Sequence, residues 1–145
     1  MGTQQVLLIV LSVVIVGIAI SVGIFMFANQ AETANRQALM IDLTSFGASS
    51  MAFWRMPVGM GGGGSATFGA DLAEVRARLG GSLGFAHNGT YTNENGIYTL
   101  DRTSASVITI TGLGTEPGAD GINRVQARLT ISAGDVSPLT TVIVN

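Results

Sequence analysis

The apolar positions of this chain change period twice. From Val6 to Ala28 almost every side chain is apolar, and only Ser12 and Ser21 carry a hydroxyl. From Asn29 onward the pattern becomes one-sided. Ala31, Ala34 and Ala38 share a face, and Leu39, Leu43, Phe46, Ser50 and Phe53 continue at steps of three and four, the repeat of an amphipathic helix. Past Pro57 and a glycine-rich tract the period drops to two. Val125, Ala127, Leu129 and Ile131 alternate with polar neighbours, as strand residues do.

The first two patterns predict one rod. No Gly or Pro interrupts the chain between Gly23 and Gly47, and Glu32 and Arg36 stand at i,i+4 in the favourable order. Pro57 discourages continuation through Met56, so a helix is expected over residues 1–56. A stretch of 23 residues from Val6 to Ala28 rises roughly 34 Å, enough to cross a bilayer core of about 30 Å. A cleaved secretory signal fits poorly: no Lys or Arg precedes the apolar run, the run is long, and no A-x-A site follows it. The first basic residue is Arg36, so charge sets orientation only weakly. The simplest topology leaves the short uncharged start on the cytoplasmic face and everything else outside. Within the apolar run, Gly17 with Ser21 and Ala19 with Gly23 form small-xxx-small pairs that let helix backbones approach closely. Gly17 and Gly23 are also the places where the helix is most easily stretched or unwound.

The remainder predicts a Gly-rich connector over 57–70 and a globular head over 71–145. In ADLAEVRARLGG, Asp71 caps a short helix, Leu72, Val75 and Leu79 share a face, and Gly80 ends it. Thr90–Thr92 and Ile97–Leu100 flank an Asn-Gly turn, Val107–Thr111 and Val125–Ile131 alternate, and LTTVIV closes the chain. About four antiparallel strands with one apolar face, covered by the amphipathic half of the rod through Leu39, Leu43, Phe46 and Phe53, make an α+β fold.

Composition removes several functions. Only 11% of residues are charged and the net charge is −2, which is against nucleic acid as a partner. The absence of Cys excludes disulfides, Cys-ligated zinc and iron–sulfur clusters. His87, the only histidine, lies in a turn-like stretch and reads as a surface residue rather than a catalytic or metal-binding group. Glu116 and Asp120 flank a Gly-rich loop, without the spacing of an EF-hand. Gly59, Gly61 and Gly64 match G-x-G-x-x-G, but no strand precedes them and no βαβ unit surrounds them. Asn88-Gly89-Thr90 fits the N-glycosylation sequon, a triplet that also arises by chance. Phe53 and Trp54 read as core anchors. No enzyme activity and no cofactor are expected.

A short polar start, an unbroken apolar helix, an amphipathic continuation and a β-rich head together resemble a type IV pilin. The resemblance implies a subunit held in the inner membrane by its N-terminal helix. An assembly platform then draws it into an extracellular filament whose core is a bundle of those helices. It also implies a prepilin peptidase and self-association through Val6, Gly17, Ala19, Ser21 and Gly23. In that family a Glu at the fifth mature position offsets a neighbour's terminal ammonium. Here, with Met1 as the mature start and any leader already missing, Gln5 stands there and offers an uncharged carbonyl. The family's usual C-terminal Cys pair is also absent. A pseudopilin of a secretion system and a membrane-anchored monomeric binding module remain as alternatives.

Overall fold

The computed structural model describes residues 2–135 and 137–145. A single helix, α1, runs from Thr3 to Arg55 and packs its C-terminal half on a five-stranded antiparallel sheet, giving an α+β fold. Its 53 residues span roughly 80 Å. The helix is continuous through Gly17 and Gly23.

The end of α1 explains the glycine tract. The last carbonyls of a helix have no partner inside it. Here Met56 N–H donates to Ala52 O, Gly63 N–H to Phe53 O at 2.9 Å, and Ser65 N–H to Trp54 O at 2.8 Å. A 3-10 turn, Val58–Met60, and two left-handed glycines, Gly61 (φ 87°) and Gly64 (φ 63°), fold the chain back to make those bonds. A methyl group on Gly62 would collide with the Met56 carbonyl. The connector is therefore a packed cap. It is fastened to the head where Phe68 N–H donates to Ala105 O at 2.8 Å.

The second helical segment is longer than the spacing predicts. Asp71 caps α2, Leu72–Val75, by accepting from Glu74 N–H at 2.8 Å. The chain then widens into a π-turn, Arg76–Gly80, and continues as α3, Gly81–Leu83. Gly80 does not end it. Gly84, at φ +83°, does, because it alone of the two adopts the left-handed geometry of a helix C-terminus.

The strands β1 (Thr90–Thr92), β2 (Gly96–Arg102), β3 (Val107–Pro117), β4 (Arg124–Ser132) and β5 (Leu139–Ile143) form a meander in chain order. There are five strands rather than about four: the expected hairpin arms and the three later segments all pair, with β1 and β5 as the edges. The β1–β2 turn is not the two-residue Asn-Gly type. Asn93 N–H donates to Gly96 O, and the Asn93 carboxamide oxygen accepts from the N–H groups of Asn95 and Gly96. Gly96 thus joins the strand with negative φ. β3 also runs past Thr111 to Pro117. Its inward positions read Ile108, Ile110, Gly112, Gly114, large and then small. The two glycines let α1 lie close: a Cβ on Gly112 would stand 3.0 Å from the Tyr98 ring and 3.4 Å from Leu39.

The core lies between α1 and the inner sheet face. Leu39 and Leu43 of α1 meet Tyr98, Leu100, Ile108, Ile110 and the Val125–Ile131 alternation, all essentially inaccessible to water. Gly47 continues the Leu39–Leu43 step and receives the methyls of Leu129 and Leu139. Phe53 and Trp54 are buried, Trp54 against Phe68 with ring centroids 4.8 Å apart. Phe46 is only partly buried; it stands edge-on to Phe85, Tyr91 and Tyr98 at 5.2–5.5 Å.

Candidate assembly surface

The N-terminal half of α1 stands clear of the sheet and, up to Phe27 and Ala28 beside the β3–β4 loop, buries none of its apolar window among the described residues. Its most apolar 18-residue window has mean hydropathy 3.0 and is 0% buried, and its length and composition suffice to cross a membrane. Side chains from Val6 to Phe27 are half to three-quarters exposed, with Phe25 at 71% and Phe27 at 75%. The two hydroxyls are satisfied inside the helix: Ser12 donates to Ile9 O at 2.7 Å and Ser21 to Gly17 O at 3.0 Å. No polar side chain between Val6 and Ala28 therefore demands water, which suits a hydrocarbon or protein surrounding equally.

Gly17 and Ser21 lie on one side of the helix. Ala19 and Gly23 lie roughly opposite, two residues or about 200° on. No atom comes within 4 Å of a Cβ built on Gly17 or Gly23, so both notches are open. Val6 projects outward at 57% exposure. Gln5 is exposed in the first turn, and its N–H donates to Gly2 O at 3.0 Å. Met1, the expected N-terminal contact, lies outside the described residues.

The half of α1 on the head has an unusual back. Thr33, Ala34, Gln37, Ile41, Thr44, Ser45, Ala48, Ser49 and Ala52 are exposed, and none is charged. A surface helix ordinarily places charges there. Ile41 is 69% exposed among small neighbours.

Polar bonds that the hydrophobic pattern does not reveal hold α1 to the head. Asp42 accepts from Asn93 Nδ2 at 2.9 Å, Asn95 Nδ2 at 2.8 Å and the Tyr98 hydroxyl at 2.5 Å. Burial raises the Asp42 pKa, but the bonds from Asn95, Tyr98 and Asn93 outweigh it and hold the carboxyl below its ordinary value. The Tyr98 hydroxyl is pushed well above its ordinary value, by burial first and by the Asp42 bond second. Asn35 donates to Asn95 O at 2.9 Å and Thr115 Oγ1 at 3.3 Å. Sequence reasoning missed both residues. The signal for Asn35 was its place four before Leu39. For Asp42 it was its standing as the only acid between Glu32 and Asp71.

The other sequence candidates lie apart from this surface. His87 is exposed on the loop before β1. Asn88 is exposed there too, its side-chain oxygen accepting from the Thr90 hydroxyl at 2.7 Å. Asp120 turns onto its own loop, accepting from Ile122 N–H at 3.0 Å and Asn123 N–H at 2.9 Å. Those bonds, Ile122 first, lower its pKa. The Gly59–Gly64 stretch is the helix cap described above.

No family model, curated protein or solved structure matches this chain. The surface itself is a long apolar rod, continuous with the helix that packs on a folded head. Such an object can lie in a bilayer or against other rods.

Proposed function

We propose that this chain is the structural subunit of an extracellular filament of the type IV pilus kind, built by bundling its apolar N-terminal helices. The observation that carries the reading is α1 itself: one unbroken helix is wholly unburied over its first half and forms core over its second. In water the exposed half costs about 1.5–3 kcal/mol for each of more than a dozen large side chains. In lipid or in a bundle of copies it costs little, and passage between the two gains little from hydrophobicity alone. The subunit waits in the inner membrane and enters the filament when a membrane platform, after a prepilin peptidase has acted, extracts it. Its partners are copies of itself, and it performs no catalytic step. The charge-free back of α1 supports the reading, because that face then also meets neighbours.

The test is a chain lacking residues 3–28, produced beside the full-length chain. The proposal expects a head that folds, stays monomeric and never enters filaments. Entry of the truncated head into filaments would refute it. A pseudopilin shares this architecture and differs in yielding only short periplasmic fibres. A monomeric binding module would keep a ligand after the same truncation.

A further inference from the structure

Two exposed apolar patches stand at opposite ends of the head. At the end where α1 leaves the apolar half, the β3–β4 loop hangs over Phe27, Ala28 and Glu32. This loop raises Ile122 to 87% exposure, the highest of any large apolar side chain described. Glu116 and Asp120 flank it, with Arg124 on the sheet side. At the other end, the helix cap exposes Met56 at 40%, Val58 at 65% and Met60 at 75%. Met56 and Met60 line a recess with Phe53 and Leu83. Arg78 lines the recess, paired with Glu74 at 2.8 Å; Arg55, next to Met56 in sequence and outside the recess lining, is exposed and has no ion pair among the described residues. The two patches are separated along α1 by the rise from Glu32 to Arg55, roughly 35 Å.

We propose that these ends are complementary and that a second copy of this chain is the occupant: Ile122 of one head seats against Met56, Val58 and Met60 of the next. The inference rests on the filament reading above and specifies its head-to-head contact. Three features argue for a copy over another partner. The knob carries net negative neighbours, Glu116 and Asp120 against Arg124, while the cap end carries the unpaired Arg55 next to Met56, so charge is complementary in one orientation only. Knob and recess lie at opposite ends, so the contact is heterologous and propagates without closing. Methionine side chains adapt to an irregular apolar partner. Like-to-like contact of either end would oppose acids to acids or arginine to arginine.

The chain contains no cysteine, so introduced thiols report only this contact. Filaments sheared from cells producing the Ile122→Cys, Met60→Cys double variant are treated with a short bis-maleimide and run on a denaturing gel. The expected result is a ladder of dimers, trimers and higher species, with each single variant remaining monomeric. Filaments present by microscopy but monomeric on the gel would overturn the contact while leaving the filament reading intact. A ladder from either single variant would also overturn it, since the contact would then be like-to-like. If the unsubstituted chain forms no filaments, both readings fall together.

Discussion

At the scale of single residues, two polar side chains on the buried face of α1 behave oppositely. Asp42 collects three donors, whereas Ser50 is fully buried with its hydroxyl unpaired. Replacing Asp42 by Ala strands Asn93, Asn95 and Tyr98 together, and should lower unfolding free energy by about 1.5–3 kcal/mol. Denaturant titration of detergent-solubilised protein measures this. Ser50→Ala removes an unsatisfied polar group and substitutes a better helix former, so the same titration should show stability unchanged or raised by about 1 kcal/mol. The sign of the pH effect follows from the Asp42 shift. Its folded pKa lies below its unfolded one, so its contribution is fully present above about pH 4 and lost as pH falls through the folded value. The melting temperature of the native chain should therefore drop on acidification below pH 4, and Asp42→Asn should flatten that part of the profile.

At the scale of elements, α1 divides into a half that its own chain covers and a half that it does not. Gly17→Leu fills an open notch, where an added Cβ has no atom within 4 Å. If that notch receives another helix, filament yield should fall at least tenfold while membrane insertion, followed by fractionation, stays normal. Gly62→Ala acts differently. Its methyl meets the Met56 carbonyl, loosens the helix cap, and should cost about 1–3 kcal/mol in thermal unfolding. These two glycines illustrate what the sequence made legible. The apolar run, the Leu39–Leu43 face and the Val125–Ile131 alternation announced α1 and β4, because burial imposes a period on side chains. The extent of β3 did not show, since Gly112 and Gly114 read as turn residues until a helix is laid across them. The end of α3 was misplaced for a related reason: Gly80 and Gly84 are equally permissive, and only tertiary packing decides which turns left-handed. Asp42 and its partners lie more than 50 residues apart, beyond any local pattern.

At the scale of the whole molecule, the protein pairs a head whose core α1 completes with a rod that the head does not bury. The fold is thus complete in one part and unfinished in the other, and the unfinished part states what the molecule needs. A membrane alone would satisfy residues 3–28, but it would leave the charge-free back of α1 from Thr33 to Ala52 facing water. A bundle of copies satisfies both. The most direct measurement is to shear cells producing the intact chain and image the cleared supernatant, identifying filament protein by mass spectrometry. The account predicts long filaments composed chiefly of this chain. Recovery of the chain solely from the membrane fraction, as a detergent-bound monomer with no filaments in the sheared material, would contradict it.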